Sequence, residues 1–464
     1  MMSTALRYLA MLLVAASVAN CQGRTNASPA TDAAIVQEAS AALAAACAQS
    51  GPGAVVLIAR GDHVVYRDAR GLANLELGVP LTPDSVFRIA SVTKTFTAAM
   101  VVELAETGAL AVDDPLAKYL PDFPNASSIT LRELLNHTSG ISDVVNTPTP
   151  GFSRRDLKTA DLIAEIGKRA LDFAPGSQFR YSNAGFILLG AVIEKVTGKP
   201  WYTAVQHQLL QPLGITHTQF GVAPAIIPGR AEGYSTDERT QTVTNATYIS
   251  SSFPAAAGGL ISTADDLRLW IHALANGQVV SAAGFQQMTT PPDLPGAHAT
   301  ESYGLGMYLW QVRGARFLGH SGDIDGFTST AAYLPAQDIS VVVLANDDNF
   351  DAQTMARRLA AIALGQPYTL PAPVEISSQE LASLAGKYQL DPNTIETLSV
   401  KDGKLYGQRG SRNPIQLQMT AAHELHFVPD ELSYFVPVRD ATGHVTRLDY
   451  FFKGDGPPRL LPRN

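Results

Sequence analysis

Ser91 and Lys94 stand three residues apart in Ser91-Val92-Thr93-Lys94, where an extended segment (Ser85–Ala90) meets a helical pattern that runs to Thr107 and is stopped by Gly108. Residues three apart at a helix start share a face, so hydroxyl and amine can meet there. A serine hydroxyl is a weak nucleophile until a base takes its proton, and lysine serves as that base only if burial or nearby positive charge lowers its pKa from about 10.4. The helix N-terminus adds positive potential and leaves backbone N–H groups free to bind an oxyanion. Tyr181-Ser182-Asn183 precedes another helical pattern (Phe186, Leu189, Ile193, Val196). Residues two apart in extended chain point the same way, so a phenol that relays a proton and an amide that binds a substrate carbonyl can face one cleft. His320-Ser321-Gly322 lies ahead of a strand pattern at Thr328–Leu334. A strand edge can pair with an extended substrate, and glycine permits close approach. Taken singly, each piece also has a structural reading: a chance spacing, a core tyrosine beside an asparagine helix cap, a satisfied histidine.

These residues need elements to position them. Ala54–Arg60 and His63–Arg67 read as strands around the turn Gly61-Asp62, after an alanine-rich helical pattern with Ile35, Val36, Ala39, Leu43 and Ala46. Far along the chain, Thr328–Leu334 and Ser340–Ala345 read as strands, followed by a helix carrying Met355, Leu359 and Ile362. Both ends of this unit therefore predict one sheet, while the middle, Thr93 to Leu274, reads as helix and loop. Pro367, Pro371 and Pro373 mark a linker at 366–373, and 374–464 holds short alternating runs broken by turns such as Asp402-Gly403. The tail predicts a small antiparallel sheet or barrel, with Tyr406, Phe427, Tyr434 and Phe435 as its core. It has two readings, a lid or partner-binding module near the cleft and a stabilising appendage.

Ser-x-x-Lys, Tyr-x-Asn and His-Ser-Gly, in that order on a helix start, a loop and a strand, resemble the penicillin-recognising serine hydrolases: class C β-lactamases, low-molecular-weight D,D-peptidases and related esterases. Leu131–Ile141, with Asn136-His137-Thr138-Ser139-Gly140, is similar to the loop bordering the cleft in that family, and Ala257–Leu267 to a further family segment. The resemblance covers 32–365. It implies an α/β (α+β) fold, an antiparallel sheet flanked by helices with a mostly helical lobe and the site between them, followed here by a small all-β C-terminal domain at 374–464. It also implies that Ser91 is the acylated nucleophile, that Lys94 and Tyr181 handle its proton, and that Asn183 holds the substrate amide. His320, Ser321 and Gly322 would line the far wall, and the backbone N–H groups of Ser91 and Asp323 would form the oxyanion hole. Which of Lys94 and Tyr181 is the main base stays open. The implied reaction is acyl transfer to Ser91 followed by hydrolysis of an amide, lactam or ester, with no metal or organic cofactor. His320 stands where the best-known β-lactamases have lysine, and Asp323 follows Gly322 where the family usually has a small residue. A largely neutral imidazole and a nearby carboxylate weaken the hold on a substrate carboxylate.

Composition sets the bounds. In 464 residues, 46% are hydrophobic and 16% charged, which excludes a disordered chain, a coiled coil or a multispan membrane protein. With 34 Lys and Arg against 42 Asp and Glu, the net charge of −8 gives no electrostatic reason for nucleic acid, so the expected partner is a small-molecule or peptide acyl substrate. Arg7, the apolar stretch Leu9–Ala19 and the small residues after it read as an export signal over 1–20, with a polar tether at 21–31. Val18-Ala19-Asn20-Cys21 resembles a lipobox, so the expected periplasmic protein is either soluble or lipid-anchored through Cys21. Cys47 is the only other cysteine, too few for a metal cluster or disulfide framework. Gly319–Asp323 lacks the closing glycine of a Gly-x-Ser-x-Gly elbow, and His423-Glu424-Leu425-His426 lacks the His-Glu-x-x-His spacing. Asp323-Ile324-Asp325-Gly326 and Asp347-Asp348 read as turns rather than calcium loops. The rival class is a non-catalytic binding or assembly protein on the same scaffold.

Overall fold

The computed structural model describes residues 30–221, 225–237, 240–294, 302–369, 372–391, 394–428 and 432–464. The expected signal, Cys21 and Pro371 lie outside the described residues. Helix α1 (Asp32–Ala46) opens on Thr31, whose hydroxyl accepts the Ala34 N–H, and is followed by the hairpin β1 (Ala54–Arg60) and β2 (His63–Arg70). Helices α2 (Thr93–Glu106), α3 (Asn183–Thr197) and α4 (Ala264–Ala275) come from the middle of the chain. Strands β3 (Ser302–Tyr303), β4 (Tyr308–Val312), β5 (Ala315–Ile324), β6 (Phe327–Leu334) and β7 (Ile339–Ala345) follow, and then helix α5 (Ala352–Ala363). The sheet order is β3-β4-β5-β6-β7-β1-β2, with neighbours antiparallel, so the two ends of this unit meet where Ala54 pairs with Ala345.

Every residue of β6 and β7 is buried because helices cover both faces of the sheet. That double burial is why these strands read as unbroken apolar runs instead of alternating ones. The pleat still sorts side chains by parity. Val55, Leu57, Val342 and Leu344 join Phe96 and Trp270 beneath the helical lobe, whereas Val56, Ile58, Val341 and Val343 pack under Ile35, Leu43 and Leu359 of α1 and α5. Helix α2 is buried on nearly all sides, including polar Thr93, Lys94, Thr95 and Thr97, which marks it as the central element of the helical half.

Among the described residues, the tail forms eight antiparallel strands in sequence order from Gly386–Asp391 to Arg459–Pro462. The ring nearly closes, since Tyr388 bridges to Arg463 and the Asn464 N–H donates to Lys387 O at 2.9 Å. Phe427 and Phe435 do lie in its core, but Tyr406 and Tyr434 do not. Neighbouring strand residues face opposite sides, so Tyr434 must point away from the side that Phe435 fills, and it stacks instead on Phe451 with centroids 4.8 Å apart. A short helix, Ser378–Leu384, which the alternating pattern did not anticipate, adds Leu381 and Leu384 to that core. The barrel meets the main unit through an ion pair between Lys453 and Asp351, and through Asp455, whose carboxylate accepts the Arg313 N–H at 2.9 Å.

Trp270 locks α4 to α2: it is fully buried, its ring stacks on Phe96 at 4.0 Å, and its Nε1–H donates to Thr95 Oγ1 at 2.9 Å. Trp270→Ala should cost about 3–5 kcal/mol in chemical denaturation. A loss below about 1 kcal/mol would show that α2 is held elsewhere.

Candidate active site

Phe87–Arg88 pairs with Ile261 and Ser262, and the chain then turns through a short 3-10 segment, Ala90–Val92, into α2. Ala90 adopts φ +43°, a left-handed conformation that costs an L-residue about 1–2 kcal/mol. The turn is clamped around it: Ile89 O accepts the Val92 N–H at 3.1 Å and the Ser329 hydroxyl at 2.8 Å, and the Ile89 N–H donates to Leu260 O at 3.1 Å. Beta strand β5 lies against this turn at Gly322. A Cβ built there would overlap Ile89 O and Ser329 Oγ and stand 2.9 Å from Ser91 N. The space that glycine opens is therefore taken by the Ile89–Ser91 turn, not by a substrate.

Lys94, the second residue of α2 and one turn past Ser91, is fully buried. Its Nζ lies 2.9 Å from Ser91 Oγ, 2.8 Å from Asn183 Oδ1 and 2.8 Å from Ala257 O. Burial lowers its pKa to about 7, against a smaller opposing pull from Asp143. An unprotonated amine has two N–H donors and one lone pair. The two carbonyl oxygens can take only the donors, which leaves the lone pair for the Ser91 O–H. Asn183 cannot flip, because its Nδ2 donates to Asp143 Oδ2 at 2.9 Å. The Ala257 carbonyl is set by neighbours that stitch 256–260 to α2: Thr97 Oγ1 donates to Ala256 O at 2.7 Å, and the Leu260 N–H donates to Thr93 Oγ1 at 3.2 Å.

Tyr181 sits with its ring 4.8 Å from Lys94 Nζ. Burial, then the Tyr308 phenol, hold its pKa well above the ordinary range, with the Ser91 hydroxyl acting in the opposite direction. Asn183 begins α3 and Ser182 occupies the cap position before it. His137, in a left-handed conformation at φ +61°, lies behind Tyr181 with ring centroids 4.3 Å apart, and its Nδ1 accepts the Ser182 N–H at 3.2 Å. The Asn136–Gly140 segment thus supports the Tyr-x-Asn piece from behind. Its histidine is neutral, since burial and the charge of Lys94 keep its pKa well below the usual value.

His320 lies within β5, just past the last β4 pair, Tyr308 with Gly319, so the strand's edge opens to the cleft at this point. Its ring is 1% exposed and both nitrogens are engaged: Nδ1 with Ser321 O, and Nε2 with the Tyr303 hydroxyl at 2.9 Å. A carbonyl only accepts, so Nδ1 carries the proton and Tyr303 donates to Nε2. Burial and then Lys94 lower its pKa to about 3, so the ring offers no cation to a substrate.

Ser91, Tyr181, Asn183, His320, Ser321, Gly322 and Asp323 all line one cavity of about 530 Å³, and Lys94 forms its buried back. The side chains that fix this geometry, Asp143, Tyr303 and Tyr308, carry no motif of their own in the sequence. The signal that could have found Asp143 was its place two residues beyond the segment Leu131–Ile141.

A serine hydroxyl beside a buried amine thus lies at the junction of an antiparallel sheet and a helical lobe, the arrangement of a serine hydrolase. Residues 33–364 match the family model described as Beta-lactamase, and the chain belongs to that family. It is 26% identical over 423 residues to a penicillin-binding protein of Bacillus subtilis, covering 86% of this chain and 92% of the relative. A D-stereospecific amidohydrolase from a Streptomyces species superposes with a TM-score of 0.62 at 30% identity, covering 72% of this chain and 99% of that one. The D-amino acid amidase of Ochrobactrum anthropi SV3, in complex with D-phenylalanine, superposes at 0.63 with 25% identity, covering 71% and 98%. Among the described residues, no helix is long and apolar enough to cross a membrane.

Gly322→Ala should push the Ile89–Ser91 turn off β5, losing about 1–3 kcal/mol of stability and most turnover. A variant with unchanged melting and full activity would show that the two backbones are not in register-tight contact.

Proposed function

We propose that the protein is a serine amidohydrolase or esterase that forms an acyl-enzyme on Ser91 and prefers acyl substrates bearing a free amine. The observation that carries the reaction is the placement of Lys94 Nζ 2.9 Å from Ser91 Oγ, with its other two contacts both acceptors and a pKa of about 7. Lys94 is then the main base, because about half of it is unprotonated at neutral pH, whereas the Tyr181 phenol stays neutral. The Ser91 proton passes to Lys94 as the hydroxyl oxygen attacks the acyl carbon. Charge that develops on the acyl oxygen meets the backbone N–H groups of Ser91 and Asp323. The C–N or C–O bond breaks as the leaving group takes a proton through Tyr181, and water attacks the ester by the same steps in reverse. Asn183 keeps one Nδ2 hydrogen for the substrate amide after serving Lys94 and Asp143.

The preference for an amine rests on the cavity's charge. Asp323, Asp348 and Asp351 line it; Lys453 already pairs with Asp351 and Lys94 stands at the buried back, so Asp323 and Asp348 are the carboxylates that set the charge felt by a substrate. The cleft walls desolvate Asp323, and with the carboxylates of Asp348 and Asp325 they raise its pKa to about 6, so it is still ionised at neutral pH. A carboxylate-bearing substrate meets repulsion there, and the neutral His320 offers it no anchor. An ammonium group is attracted instead. The names of the amidohydrolase and amidase relatives agree with this class. The pattern of Arg7 and Leu9–Ala19 supports export as the setting of the reaction.

Ser91→Ala should lower hydrolysis of an alanine nitroanilide about a thousandfold or more, and abolish labelling by a serine-directed probe. A probe adduct that forms but never clears would favour a non-turnover binding protein. Lys94 must be deprotonated to act, so kcat/KM should rise with pH and level off above about 7. A pH-independent profile across that range excludes Lys94 as the base. Asp323→Asn should reduce the preference for free-amine over N-acetylated substrate by about five- to tenfold. An unaltered ratio removes Asp323 from substrate selection.

A further inference from the structure

Ile324 and Thr328 face the catalytic cavity, while Asp325 and Phe327 of the same turn line a second one of about 410 Å³. It lies behind the nucleophile turn, because Arg88, three residues before Ser91, also lines it. Arg88 Nη1 donates to Ile249 O at 3.0 Å, which fixes the guanidinium, but Nη2 is buried without a hydrogen-bond partner. Arginine is rarely buried unless paired, and its planar fork suits a carboxylate. Arg230, an exposed residue, lines the same cavity and makes no ion pair among the described residues, and its charge is felt by Arg88. Asp325 is also within electrostatic reach of Arg88 yet forms no ion pair with it. Glu232 is exposed at the rim, whereas Glu76 is already occupied by the Tyr234 hydroxyl and Asn245 Nδ2. Positive and negative groups thus converge on one space without neutralising each other. A simple anion would meet Asp325 and Glu232, and a simple cation would meet Arg88 and Arg230.

We propose that this cavity binds a small zwitterion, a free amino acid or short peptide, with its carboxylate on Arg88 and Arg230 and its ammonium toward Asp325 and Glu232. Phe327 and the half-exposed Tyr248 supply the apolar wall for the body of the ligand. The cavity's size is at the small end of ligand sites, which suits one amino acid or a dipeptide. This site stands apart from Ser91 chemistry and does not rest on the reading of the catalytic cleft.

The test is calorimetric titration of the full chain with glycylglycine, N-acetylglycine and acetate at neutral pH. Glycylglycine should bind saturably, and Arg230→Gln, at an exposed position, should weaken it by about tenfold. Asp325→Asn should weaken glycylglycine by about fivefold and leave N-acetylglycine unchanged. Three results would overturn the proposal: no saturable binding of glycylglycine, binding untouched by Arg230→Gln, or acetate binding as tightly as glycylglycine. Loss of binding on Asp323→Asn with full binding in Arg230→Gln would also overturn it, because the ligand would then sit in the catalytic cleft.

Discussion

The site depends on keeping an amine out of water. A lysine ammonium on a surface would be strongly hydrated, protonated and useless as a base. Lys94 departs from that state because α2 is surrounded by protein on nearly every side, and burial lowers its pKa to about 7; the Asn183 and Ala257 oxygens fix where the amine sits. Removing either acceptor would leave a buried N–H unmatched, at about 1–3 kcal/mol, and would free the amine to rotate away from Ser91. The Asp143 carboxylate fixes Asn183 without touching Lys94, so it orients the acceptor while adding only a modest pull toward protonation.

Much of the rest of the fold serves to bring three distant segments to that amine. The sheet, covered on both faces, provides a rigid wall, and β5 passes so close to the Ile89–Ser91 turn that only glycine fits at 322. Strain at Ala90 aims Ser91 into the cleft and is sustained by hydrogen bonds to Leu260 and Ser329 from two other elements. On the opposite wall, Tyr303 holds His320 in a single tautomer while His137 backs Tyr181, so both residues that face the cleft are supported from behind. The barrel touches this arrangement as well: Lys453 pairs with Asp351, which lines the cavity and caps α5.

Three departures from the sequence expectation have physical causes, two of them neighbours far away in sequence and one the pleat of a strand. Gly322 looked like room for substrate, but the room belongs to a backbone more than 200 positions earlier, as Ile89 O pairing with Ser329 shows. Tyr406 and Tyr434 looked like core because aromatic residues are usually buried, yet strand parity sent them outward. His320 suggested a weak anchor for a substrate, and its weakness proved deeper: the hydroxyl of Tyr303 consumes the nitrogen that a substrate would need.

The order and type of the candidate residues, the helical stretch that follows Ser91, the sheet assembled from both ends of the main unit and the strand-rich tail were all legible in the sequence, because periodicity, turn residues and short-range spacing are local properties. Proton affinity and charge at the cleft were not. Whether Lys94 is a base or a cation, whether His320 offers a charge, and which carboxylates face the substrate depend on desolvation and on partners that the chain brings together only after folding. Those are properties of a three-dimensional environment, and no single segment carries them.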